Sequence, residues 1–171
     1  NAENKLAELN IENNKSQALL NELSDKNFIS LTASIISGYL GYEGYNDIFG
    51  LQVDYENKTF TRLAEAAEKN AGSDFDQFSI YNKIKRCNIS DNGTVNAYYG
   101  DSTYKDDGTN GQVMVCIPRF YYKVVPLKLE KIKAPGFGYH IRKANYYITD
   151  TIKPGFKVHP AFINEDGKEV D

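Results

Sequence analysis

The sequence predicts an α+β protein: a long N-terminal coiled-coil helix followed by a mainly antiparallel β domain with one short helix. Three observations carry this expectation. Residues 3–36 contain no Gly or Pro and are rich in Leu, Ala, Glu, Lys and Asn, the composition of an uninterrupted helix. From residue 48 onward short alternating runs are separated by turn pairs, the grammar of antiparallel sheets. With Tyr 13, Phe 9 and Trp 0, the aromatic content favours a side chain with a large contact area and a polar tip, which suits sheet surfaces and interfaces as well as cores. A chain of 171 residues, 41% apolar, can bury one ordinary core, or a small core plus an extended element.

Taken in order, the first segment (1–37) reads as a coiled-coil stem. Leu6, Leu9, Leu20 and Leu23 fall at a and d of a heptad repeat, Asn13 and Ser16 fill the turns between, and Asn27 takes the next a position. Polar residues at a cost stability but fix register and strand number. After Asn27 the apolar set moves one place, to Phe28, Leu31 and Ile35, a phase shift expected where a coil meets another element. A helix of about 50 Å, at about 1.5 Å per residue, is too long and thinly apolar to cover a small globule, so its stripe is expected to meet copies of itself. The alternative is a single amphipathic helix packed on its own domain. Gly38, Gly41, Gly44 and Gly50 then punctuate GYLGYEGYNDIFG, and 38–47 reads as a Gly/Tyr hinge. As a phosphate loop it fails, because no strand precedes it and no Lys-Ser/Thr follows.

The remainder, 48–171, reads as a β-rich collar expected to continue beyond residue 171. IFGLQVDYE is a strand, Asn57-Lys58 a turn, and TRLAEAAEKN the one short helix. KRCNIS and TVNAYYG flank Asp91-Asn92-Gly93, where Asn-Gly supplies the positive φ of a tight hairpin turn. A polar loop, GDSTYKDDGTNG, leads into QVMVCIPRFYYKVVPLKLEKI, the strongest β signal, with Pro118 marking a bulge or edge. APGFG makes another turn before GYHIRKANYYITD. In the following corner, Pro154-Gly155 reverses the chain, Phe156, Val158 and Phe162 supply an apolar set, and His159 packs or hydrogen-bonds beside Pro160. The final turn signal, Glu-Asp-Gly-Lys, leaves too few residues for a second hairpin arm, so the chain is expected to be a piece of a longer polypeptide.

Composition also excludes functions. A net charge of −3 gives no pull toward nucleic acid, and no apolar run is long enough for a membrane-spanning helix. Cys87 and Cys116 lack zinc spacing and read as small buried apolar groups. Two histidines, His140 and His159, are too few for a His-based metal site and lack the neighbours of a hydrolase triad. Asp101, Asp106, Asp107 and Gly108 resemble a calcium loop until the positions are counted: with Gly108 sixth, Thr103 stands first and Met114 twelfth, and the rule fails. Asp74 and Asp76 are a carboxylate pair of the kind that cleaves glycosides, but they flank Phe75 in a loop. No metal, no cofactor and no catalytic residue is expected.

Four ordered runs, VDYENKTFTRLAEAA, KRCNISDNGTVNAYYGD, GQVMVCIPRFYYKVVPLKLEKI and YHIRKANYYITDTIKPGFKVHPAFINEDGKEVD, together covering roughly residues 48–171, resemble a segment of tail-fibre and receptor-binding proteins of tailed bacteriophages that infect Firmicutes. One departure is the aromatic pair before the Pro-Gly turn, often tryptophan in such proteins and here Tyr146 and Tyr147. The resemblance implies a structural, adhesive virion protein in the phage tail, assembled in the host cytoplasm. It would be a homo-oligomer, trimer favoured, that contacts other tail or baseplate proteins and presents a distal region to a host-surface glycan or protein. Alternatives are a polysaccharide depolymerase-like tail enzyme, with Asp74 and Asp76 as its acids, and a baseplate or head decoration connector. Tyr98, Tyr99, Tyr121, Tyr146 and Tyr147 are the candidates for stacking on sugar rings, or else for core and intersubunit contacts.

Overall fold

The computed structural model describes residues 30 and 32–170. Among them, eight strands form two antiparallel sheets. The larger has the order β2-β1-β7-β6-β8, built from β1 (Phe49–Asp54), β2 (Thr59–Ala64), β6 (Tyr121–Lys131), β7 (Tyr139–Thr149) and β8 (Lys157–Val158). The smaller, β4-β3-β5, consists of β3 (Lys85–Ile89), β4 (Val95–Tyr98) and β5 (Gln112–Cys116). Helix among the described residues is confined to α1 (32–40), two single turns, α2 (Ser73–Asp76) and α3 (Ser79–Asn82), and a 3-10 turn at Pro160–Phe162. No helix among the described residues is long and apolar enough to cross a membrane.

The expectation of a long coiled-coil helix heading the fold is therefore overturned: the described chain is mostly antiparallel β with only short helices, and α1 ends at residue 40. It stops because Gly41 adopts φ 97, and the N–H groups of Gly41 and Tyr42 both donate to Ser37 O at 2.8 Å, closing the helix. α1 also lies on its own domain. Gly38 carries no Cβ, and one placed there would stand 2.8 Å from Val125 Cγ2, so glycine sets how closely the helix end approaches the sheet. Its carbonyl accepts from Asn145 Nδ2 (3.1 Å) and Tyr147 Oη (2.9 Å). Lys123 Nζ donates to Ser34 O (2.7 Å), Ser34 Oγ (2.9 Å) and Tyr42 Oη (2.9 Å). The segment read as a hinge thus places Tyr42 in a core cluster with Ile48, Val125, Tyr147 and Phe156. Of the residues assigned to the stem seam, Leu6, Leu9, Asn13, Leu20, Leu23, Phe28 and Leu31 lie outside the described residues, and Ile35 is 46% exposed on α1.

The one short helix expected at 61–70 is a strand and a turn instead. Asp54 Oδ1 accepts from the N–H groups of Glu56 and Asn57, at 3.1 and 3.0 Å, and Lys58 takes φ 54, which closes a hairpin. That turn fixes the register and lays Thr59–Ala64 opposite Asp54–Phe49. A ladder with a central strand outweighs the helix propensity of Leu, Ala and Glu. Ala64, at φ 54, then ends the strand. The long run 112–132 divides between the sheets, with β5 in the small one and β6 in the large one.

Both faces of the large sheet carry side chains into cores. On one, Tyr147 lies opposite Gly50 and Lys123, and Asn145 opposite Gln52 and Val125; α1 and residues 41–48 cover this face. On the other, Phe49 and Ile148 are paired, and Phe49 meets the rings of Phe78 and Tyr81, each at 4.9 Å, from α3 and its approach. No buried side-chain nitrogen or oxygen among the described residues lacks a partner, as a buried polar network requires.

Candidate ligand-binding face

The second face is only partly covered. Successive residues of a strand point to opposite sides, so each tyrosine doublet, Tyr121-Tyr122 and Tyr146-Tyr147, sends one ring to each face. Tyr147 and Tyr121 go to the α1 side. Tyr146 and Tyr122 go to the other, where Tyr146 lies opposite Val124 and Leu51, and Tyr122 opposite Ile148. Here an open groove of about 430 Å³ is lined by Phe120, Tyr122, Val124, Tyr146, Ile148, His159 and Pro160, with Lys123 and Tyr147 of the same strands at its floor. The corner after β7 forms its far wall. His159 stacks at 4.9 Å on Phe120, tilted by 34°, and meets Tyr122 at 5.5 Å. Its Nδ1 accepts from Ala161 N at 3.3 Å, so the neutral ring carries its proton on Nε2.

Tyr146 is the polar element of this surface. Its hydroxyl lies 2.9 Å from that of Tyr55, an exposed residue just past β1. Burial, and then the hydrogen bond to Tyr55, push the Tyr146 phenol up to about 12. Near neutral pH it is therefore an uncharged ring with a directed hydroxyl. The groove offers flat apolar area plus donors at its rim, the chemistry of a binding surface.

The five tyrosines singled out from the sequence are not brought together. Tyr146 and Tyr147 both border the groove. Tyr147, 1% exposed, is a core residue, and Tyr121 packs against the same core. Tyr98 and Tyr99 are exposed on the small sheet, where Arg86 sits 5.4 Å from the Tyr99 ring and 5.8 Å from Tyr104 and pairs with Asp106 at 2.7 Å. Tyr55, Phe120, Tyr122 and His159 were missed. The signal that points to Tyr122 is the doublet itself, since the neighbour of a core tyrosine in a strand faces the other way.

Of the acidic side chains singled out from the sequence, Asp74, Asp101, Asp106 and Asp107 are engaged in local structure. Asp74 Oδ2 accepts from Asn70 N (2.8 Å) and Nδ2 (3.1 Å), and these bonds hold its carboxyl below the ordinary value. Asp107 Oδ1 accepts from Thr109 N and Oγ1, and Asp101 Oδ2 from Tyr98 N. No group of three His, Cys, Asp or Glu among the described residues has the arrangement of a metal site. Cys87 is buried and Cys116 half-buried, and both are free thiols.

Comparison with protein-family models, with curated proteins and with solved structures finds no match for this chain.

Proposed function

We propose that this chain is a non-catalytic structural and adhesive module of a phage tail fibre or receptor-binding protein. In this reading it acts as a homo-oligomer, trimer favoured, in the tail of the virion, where it mounts a distal host-binding region. Support comes from the ordered motifs over residues 48–171 and from one structural observation, the aromatic groove around Tyr146 on the open face of the large sheet. A pyranose ring presents a flat patch of C–H groups edged by hydroxyls. Tyr146 and Tyr122 offer π surface to the first, and the Tyr55 hydroxyl and His159 Nε2 offer hydrogen bonds to the second. Each such contact is weak, and repetition around a symmetric oligomer multiplies it.

The test is binding of the full chain to purified Firmicutes cell-wall polysaccharide, with release of reducing ends followed in the same samples. Tyr146→Ala is expected to weaken binding about tenfold or more, since losing one stacked ring costs about 1–3 kcal/mol by analogy with base stacking. Tyr98→Ala on the small sheet is expected to leave it unchanged. Equal effects from the two substitutions would remove the groove from the argument. Sugar release abolished by Asp74→Asn would replace adhesion with depolymerisation.

A further inference from the structure

The groove has an outer margin with a chemistry of its own. β8 pairs Lys157 with Tyr122 of β6, and residues directly opposite in an antiparallel pair share a face, so Lys157 stands on the open face beside Tyr122. Two positions on, His159 keeps extended backbone and returns to the same face, where its ring meets that of Tyr122 at 5.5 Å. Phe156, one position before Lys157, goes to the other side and joins the core with Tyr42 and Tyr147. Lys157 and His159 therefore bracket Tyr122 along the edge of the sheet. β8 is only two residues long, and a second hollow of about 280 Å³ opens along β6, lined by Tyr122, Lys123, Val124, Gly155 and Lys157. It shares Tyr122, Lys123 and Val124 with the groove, so the two adjoin.

The charges on this margin are of one sign. Lys157 is exposed and makes no ion pair among the described residues. No Asp or Glu lines either hollow. Asp150, just past the end of β7, accepts from Ser79 Oγ, and Glu169 pairs with Arg119 at 3.2 Å. Lys123, at the floor, directs its donors to Ser34 O, Ser34 Oγ and Tyr42 Oη, so it adds positive potential but no further contact. His159 Nδ1 is occupied by the Ala161 N–H, which leaves Nε2–H to donate. An ammonium and a ring N–H on either side of one aromatic ring match the two oxygens of a carboxylate. In a pyranose lying flat on the rings of Tyr122 and Tyr146, an equatorial carboxylate projects sideways, toward the edge where Lys157 stands. A backbone phosphodiester sits between sugars rather than on one, so the flat contact and the charge contact would not fall on the same unit.

We infer that the groove takes a sugar bearing a carboxylate: a hexuronate unit stacked on Tyr122 and Tyr146, its carboxylate held between Lys157 Nζ and His159 Nε2. This rests on the reading of the groove as a glycan-binding surface and adds the class of glycan. Lys157 sets the preference, because stacking is blind to charge and a charge-assisted hydrogen bond is not. The pair is exposed, so salt screens the preference.

The experiment uses the full chain and a panel of galacturonate, glucuronate and mannuronate oligosaccharides, each beside its carboxyl-reduced neutral counterpart, with poly(glycerol phosphate) as a polyanion that carries no uronate. Affinities are read by calorimetry at low and at high salt. At least one hexuronate is expected to bind about tenfold tighter than its reduced counterpart. That ratio is expected to fall toward one at high salt and in Lys157→Gln, and to recover in Lys157→Arg, while Tyr146→Ala weakens the charged and the reduced form alike. Equal affinity for the two forms, a ratio that survives Lys157→Gln, or tightest binding to poly(glycerol phosphate) would each overturn the carboxylate. Reduced forms that still bind through Tyr146 would leave the glycan-binding groove standing. If no hexuronate binds, the carboxylate falls; if the purified cell-wall polysaccharide also fails to bind, the groove falls with it.

Discussion

The two faces of the large sheet begin from the same strands and end differently. On the α1 side the buried polar side chains meet fixed partners: Tyr147 and Asn145 hold the Gly38 carbonyl, Gln52 Nε2 donates to Asn145 Oδ1 at 2.9 Å, and Lys123 gathers Ser34 and Tyr42. On the other side Tyr146 has one neighbour of its own kind and an open groove beside it. Adjacent residues of identical type thus serve cohesion and recognition, and what separates them is the cover that a strand's alternation meets on each side. Aromatic content alone says nothing about which role a ring will take.

The sharpest way to break this contrast is to truncate each ring in turn. Tyr147→Ala is expected to cost about 3–5 kcal/mol by opening a cavity in the core, read as a large fall in thermal midpoint. Tyr146→Ala is expected to cost no more than about 1 kcal/mol, while carrying the loss of binding. Comparable melting curves for the two variants would erase the distinction between the faces. A smaller effect comes from the backbone approach on the packed side. A Cβ at Gly50 would stand 2.6 Å from Tyr147 Cε1, so Gly50→Ala is expected to destabilise by about 1–3 kcal/mol through overpacking, whereas Gly44→Ala meets no atom within 4 Å and is expected to lose only through its positive φ of 81°. Chemical denaturation of the pair separates crowding from backbone conformation.

The smallest effect is one of pH. Burial pushes the Tyr147 phenol up to about 12, above the ordinary tyrosine value of 10.0. Because the folded value is the higher one, the neutral form's contribution is complete below pH 10 and is lost as pH rises toward 12. Tyr147→Phe is therefore expected to melt somewhat lower than the parent at pH 7 and to show a shallower decline between pH 10 and 12. A parallel decline in both would remove Tyr147 from the alkaline limb.

Much of the β domain was legible, and the failures share a cause. Asp91-Asn92-Gly93, the APGFG turn and the alternation through GYHIRKANYYITD are local signals, and strands stand on either side of each turn. TRLAEAAEKN misled because its fate is set by β1, through a hairpin register that propensity does not contain. The continuous run from Gln112 to Ile132 hid a change of sheet between Cys116 and Tyr121, where Pro118 was the single hint. Gly38 read as a point of freedom, but its missing side chain admits Val125, a contact between residues far apart in sequence. In the same way alternation separates Tyr146 from Tyr147, but only packing says which of the two is covered.

The pairing of β1 with β7 has a consequence for biogenesis. Phe49 lies opposite Ile148, about a hundred positions later, and the entire small sheet is encoded between them. Contacts so distant impose a slow search, while β3, β4 and β5 need only their immediate surroundings. During synthesis the small sheet can form as soon as it leaves the ribosome, whereas the first hairpin waits, with one margin unsatisfied, for the last third of the chain to arrive.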